Sequence, residues 1–163
     1  MKLILKILFV FSFFILGISS SEAFLLKGSV EKIPDTFLGS WRVVSKLKST
    51  DSPVTFKLKG VDLWNLSQEN NVIKLSNPFS GASADISIKD VSGNSISFTK
   101  IGQYDNKIVT DSVSILLNEN NFIGIDAISI DTISGIDGSV RKTETAIYSI
   151  NGERISGQSV KNN

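Results

Sequence analysis

The chain reads FLGSWRVVSK at residues 37–46, with a glycine two places before a tryptophan at the head of an alternating run. Over residues 40–48, Trp41, Val43, Ser45 and Leu47 share one face, and Arg42, Val44, Lys46 and Lys48 share the other. Successive side chains of an extended strand point to opposite faces, so a run with lysines on one side predicts a half-buried β-strand. The glycine and the tryptophan leave two readings of that strand. It either opens a ligand-carrying barrel or is an ordinary strand that begins with a large side chain.

Further strands follow in series. Asp51, Ser52 and Pro53 punctuate the first run, and VTFKLK at residues 54–59 alternates again, with Val54, Phe56 and Leu58 against Thr55, Lys57 and Lys59. Gly60 then interrupts before VDLWNLS, marking either a bulge in one long bent strand or a break between two. QENN at residues 68–71 predicts a turn into VIKLS, and Asn77, Pro78 and Gly81 open the next connection. ASADISIKDV buries Ala84, Ile86 and Ile88 while Asp85, Ser87 and Lys89 face out; SGN turns at residues 92–94, and SISFTKI returns with Ile96 and Phe98. A strand over residues 107–117 sets Val109, Val113, Ile115 and Leu117 on one side, and NENN at 118–121 closes a hairpin into FIGIDAISID. After the glycine-rich SGIDGS, residues 141–150 form another strand, and NGE at 151–153 leads as a turn into a short run, RIS. No segment carries a sustained helical period.

Eight strands result, with RIS as an optional ninth. Short turns between neighbours imply antiparallel pairing of sequential strands, and closing such a meander removes both exposed edges. A sandwich needs longer crossovers, and only residues 77–82 and 131–140 are long enough for one. The expected fold is therefore all-β: an eight-stranded antiparallel up-and-down barrel, with a short turn in KIPDTF before the first strand. A barrel of this size is either filled by its own side chains or holds one small ligand.

The first residues read differently. MKLILKILFVFSFFILGISSSEAF carries Lys2 and Lys6, an apolar run over residues 7–18, and small residues at Ser21 and Ala23 that suit a signal peptidase. Residues 1–23 are expected to be a secretory signal, leaving residues 24–163 as a single β-barrel domain with no membrane span, because the apolar run is shorter than the ~20 residues that cross a bilayer. The expected location is secreted or periplasmic. The whole chain has 17 basic and 16 acidic residues, and the signal removes Lys2, Lys6 and Glu22, which brings the two into balance. A neutral chain gives no support for nucleic acid or an anionic membrane as partner. Cysteine is absent, so an exported core must hold without disulfides, which suits a bacterial envelope or secreted protein; the abundance of Ile, Asn, Lys and Ser suits an AT-rich genome.

Histidine is absent as well. The usual general base near neutral pH, the thiolate nucleophile and the common zinc ligands are missing together, and no nucleophile elbow or glycine-rich phosphate loop replaces them. The expectation is a protein that is not an enzyme and takes no cofactor. Asp126, Asp131 and Asp137 recur at intervals of five and six, which raises the question of a calcium loop; an outward-facing pair plus a turn aspartate is the preferred reading, and no metal is assigned.

FLGSWRVVS resembles the first-strand signature of the calycin superfamily, in which Gly-x-Trp sits at the base of a barrel, with Phe37, Gly39 and Trp41 as the matching residues. Intracellular fatty-acid-binding proteins are similar here too, but they carry a two-helix lid after the first strand, whereas this chain passes through residues 49–53 into another strand and carries a signal segment. The lipocalin branch is the better match, although its Thr-Asp-Tyr turn is replaced by NENN and its disulfide is absent. That resemblance implies a basic residue packed over the tryptophan. Arg154 is placed for the role and Arg141 less well, which makes Gly39, Trp41 and Arg154 the structural signature.

Binding is the natural use of such a barrel. Trp64, Phe98, Phe122 and Tyr148 are the candidate ligand-binding residues, as aromatic side chains lining one mouth and receiving a small apolar or amphipathic molecule; the plainer reading of each is core filling. If Trp64 points outward, it becomes an anchor for a protein partner, and the barrel a non-catalytic protease inhibitor or cell-envelope adaptor. A carrier needs a cavity of a few hundred Å³, whereas an adaptor can be solid.

Overall fold

The computed structural model describes residues 32–69, 72–78 and 80–157; the expected signal at residues 1–23 lies outside them. A single 3₁₀ turn, Asp35–Phe37, precedes eight strands: β1 (Gly39–Thr50), β2 (Lys59–Glu69), β3 (Val72–Ser76), β4 (Ser83–Ser92), β5 (Ser95–Tyr104), β6 (Lys107–Asn118), β7 (Asn121–Ile133) and β8 (Val140–Gly157). Each pairs antiparallel with the next, and β8 returns to β1 to close the barrel. The fold read from the sequence, an all-β up-and-down barrel preceded by a short turn, is the one observed. Among the described residues no helix is long and apolar enough to cross a membrane.

Alternation builds the core. Along β6 the buried residues are Asp111, Val113, Ile115 and Leu117, and along β8 they are Glu144, Ala146, Tyr148, Ile150 and Gly152, every second residue in both cases. Every strand contributes to one apolar cluster, which continues at one end into Ile33 and into Phe37 of the preceding turn. Two-residue turns join β4 to β5, β5 to β6 and β6 to β7, and Asp105 and Glu119 take φ of 52° and 55° in the last two, the left-handed conformation such tight hairpins need.

Three local expectations are corrected. Residues 54–58 do not form a strand, and only Lys59 of the expected run joins β2: Val54 and Leu58 are exposed, and only Phe56 of that apolar triplet turns inward. The Ser52 carbonyl accepts from the amides of Thr55 and Phe56 at 3.0 and 3.3 Å, winding the segment into turns before β2 begins. Gly60 marks neither bulge nor break, because it lies inside β2 opposite Ser45 in an unbroken ladder. NGE does not turn, either. Residues 151–153 continue β8, paired with β1 on one side and β7 on the other, so RIS is the end of the eighth strand and not a ninth.

Because the strands run alternately up and down, one end of the barrel gathers the Asp35–Phe37 turn, the start of β1, the end of β8 and the β4–β5 and β6–β7 turns. The opposite end gathers loops 51–58, 77–82 and 134–139 and the β5–β6 turn.

Candidate functional site

The first end is sealed, and the opening glycine is what allows it. Gly39 has φ of +121°, and a Cβ there would lie 2.2 Å from the Ser156 carbonyl oxygen, so only glycine lets the chain enter β1 while pressed against the end of β8. Trp41 is buried just inside and donates from Nε1 to the Phe37 carbonyl at 3.0 Å. Arg154 covers it: the guanidinium carbon lies 4.0 Å from the ring centroid, Nη1 donates to the Leu38 carbonyl at 3.1 Å, and Nη2 donates to the Thr36 carbonyl. Cation–π attraction and carbonyl bonding thus act on the same planar group. Burial lowers the Arg154 pKa.

Phe122 packs on Trp41 at 5.2 Å between centroids and stacks on Trp64 at 6.0 Å, while Trp64 meets Phe98 edge-on at 6.3 Å. Trp64 is opposite Trp41 in register and points inward, which removes the outward-facing reading. Phe122 is therefore part of the floor and not of a mouth. Tyr148 lies toward the other end, where its hydroxyl donates to the Lys57 carbonyl at 3.0 Å and holds loop 51–58 down.

Above the aromatic floor the barrel is hollow. A cavity of about 220 Å³ is walled by Val43, Trp64, Leu75, Phe98, Val113, Ile128 and Ile150, with Ser45, Asp62, Lys100, Asp111 and Asp126 as its polar lining. A second hollow of about 100 Å³ shares Asp62, Trp64, Leu75 and Lys100 with it and reaches loop 77–82 and Tyr104. Three charged residues on consecutive strands meet in this lumen. Lys100 of β5 forms an ion pair with Asp111, its register partner on β6, and Asp126 of β7 sits diagonally from Asp111. Asp111 and Asp126 are 7 % and 9 % exposed, and the buried Asp126 Oδ1 has no hydrogen-bond partner among the described residues.

The electrostatics follow from that placement. Burial first, and the Asp111 charge second, push the Asp126 carboxyl up to about 7, against a weaker pull from Lys100. Burial works against the Lys100 ammonium, but the charge and hydrogen bond of Asp111, with Asp126 behind them, carry its pKa upward overall. Strand parity alone could have found this cluster: Lys100 follows Phe98 by two, Asp111 precedes Val113 by two, and Asp126 follows Phe122 by four, so each shares an inward face.

The expected outward placement of Asp126 is thus corrected. Asp131 instead accepts from Thr143 Oγ1 at 2.6 Å, and Asp137 accepts from the Ser139 amide and from Arg141 within loop 134–139 and its border, so the three aspartates do not converge. Among the described residues no group of three or more acidic side chains is placed to hold a metal. A Ser-x-x-Lys spacing at Ser97 and Lys100 is split by the same parity, with Ser97 bonded to Ser114 outside the barrel and Lys100 within it.

Loop 51–58 folds over the second end under a latch that sequence reasoning missed. Glu144 accepts from Ser52 Oγ, from Thr55 Oγ1 at 2.6 Å and from Lys142 Nζ at 2.9 Å, and these bonds hold its carboxyl down to about 2. Asp51 accepts from the amide and hydroxyl of Thr145, both at 2.8 Å.

Compared with known protein families, characterised proteins and solved structures, the chain matches none.

Proposed function

We propose that this protein is an exported, non-catalytic, lipocalin-like barrel that holds one small amphipathic molecule in its lumen. The observation that carries the reading is the hollow of about 220 Å³ above the Trp41–Phe122–Trp64 floor, where a mostly apolar wall surrounds a few inward polar groups. That combination is the usual make-up of a small-molecule site, and the volume, below the roughly 300–1,000 Å³ of drug-sized ligands, suits a compact one. The lipocalin likeness rests on the Gly39-x-Trp41 entry and the stacked Arg154. Export rests on residues 1–23, and the non-catalytic role on a chain without histidine or cysteine.

Trp64 borders the cavity whereas Trp41 is sealed beneath Arg154, so ligand entry should shift the emission of the first and leave the second unchanged. Titration with a panel of fatty acids, isoprenoids and small aromatics is expected to give a shift that Trp64→Phe abolishes, together with thermal stabilisation. A panel that yields neither, with no small molecule retained in native mass spectra of protein from its own host, would overturn the carrier reading.

A further inference from the structure

Resting on the reading of the lumen as a ligand site, we infer that the bound molecule is a small organic cation, a primary amine with an apolar body, whose ammonium group is taken by Asp126. The cavity lining carries two buried carboxylates, Asp111 and Asp126, against the single ammonium of Lys100, with a third, Asp62, exposed at the edge and accepting from the Leu63 amide and Asn77. Lys100 is committed to Asp111. Asp126 is left with a buried oxygen that no donor among the described residues reaches, in a residue nine-tenths removed from solvent and bordering the hollow. A buried acceptor without a partner is costly, and a low local dielectric raises the cost further. An ammonium group supplies three donors and the missing positive charge at once. An alcohol brings one donor and no charge, and a carboxylate would add a fourth acid to the same space. Trp64 and Phe98 on the adjoining wall offer aromatic faces to the apolar body and to the cation's methylene groups.

The lumen has an excess of acid, which the raised Asp126 carboxyl answers by holding a proton near neutrality. Charged or titratable groups face this point from every neighbouring strand: Lys100 from β5, Asp111 from β6, Tyr148 from β8 and Asp62 from β2 across the hollow. Arrival of an ammonium ion favours the ionised carboxylate, so the Asp126 proton passes to the buffer as the ion pair forms.

The test uses the mature protein with three probes of one shape: phenethylamine, phenethyl alcohol and hydrocinnamate. Calorimetry at about pH 6, in buffers of different ionisation enthalpy, is expected to show the amine binding at least roughly tenfold more tightly than the other two and releasing up to one proton. Asp126→Asn should lower amine affinity by roughly tenfold or more, abolish proton release and leave the alcohol unchanged. The proton count is read on the unsubstituted chain, so it stands even if the variant does not fold. Equal or tighter binding of the alcohol or the acid, or amine binding that Asp126→Asn leaves unchanged, would overturn the cation assignment while leaving the lumen a ligand site. Failure of all three probes, with no ligand retained from the host, would overturn both.

Discussion

Gly152 lacks a side chain because Phe122 occupies that space: a Cβ there would fall 2.1 Å from a ring carbon. The pair faces across β7 and β8, and the ring in turn carries Trp41 and Trp64. Gly152→Ala is therefore expected to tilt Phe122 out of the floor and cost about 1–3 kcal/mol, as overpacked cores do, in urea denaturation. The glycine was plain in the sequence, but its reason was not. Within NGE it looks like turn chemistry, whereas its requirement comes from a ring thirty residues away in the chain. Lys100, Asp111 and Asp126 were hidden in a related manner. Parity puts all three inside, and the expectation that charge faces water puts them outside; pairing across adjacent strands lets parity win for Lys100 and Asp111. Gly39 and Trp41 stand out at the head of an alternating run, whereas Arg154, inside β8, was legible only through the resemblance of FLGSWRVVS to a first-strand signature that implies a basic residue over the ring.

At the scale of elements, the strands and tight hairpins could be read because period-two burial and two-residue turns are local signals. Residues 54–59 show the limit of that logic. VTFKLK alternates as cleanly as any strand, yet only its end reaches a ladder, where the Leu58 carbonyl accepts from the Leu47 amide and Lys59 opens β2 opposite Lys46; before that, Glu144, Tyr148 and the Ser52 carbonyl offer a loop its hydrogen bonds. Glu144 makes the loop sensitive to acid. Its carboxyl is depressed from 4.5 to about 2 in the folded chain, so the latch contributes fully above its unfolded value and is lost as pH falls through that interval. Hydrogen exchange at the Thr55 and Phe56 amides should accelerate below about pH 3, with the barrel strands still protected. Glu144→Gln should bring the same local release to neutral pH. Unchanged exchange in the variant would mean that Tyr148 and Asp51 suffice to hold the loop.

For the whole molecule, the lumen sets the pH profile of stability. Asp126 is held at about 7 against an ordinary 3.8, so the folded chain binds that proton more tightly than the unfolded one. Stability should fall as pH rises from about 4 to about 7 and stay reduced above it, by at most about 4 kcal/mol from this group. Asp126→Asn is expected to melt close to wild type at about pH 4 and above it at about pH 8; a variant that tracks wild type across that range would show the carboxyl to be solvated. Closure itself has a consequence for handling the protein. Gly39 pairs with Gly157, so the chain enters and leaves the barrel side by side, at the floor and away from loops 51–58 and 77–82. A tether fused beyond either strand hangs from the sealed base, an immobilised copy turns its cup toward the solution, and a short linker between the paired ends would allow new termini to be cut in loop 134–139 without breaking a ladder.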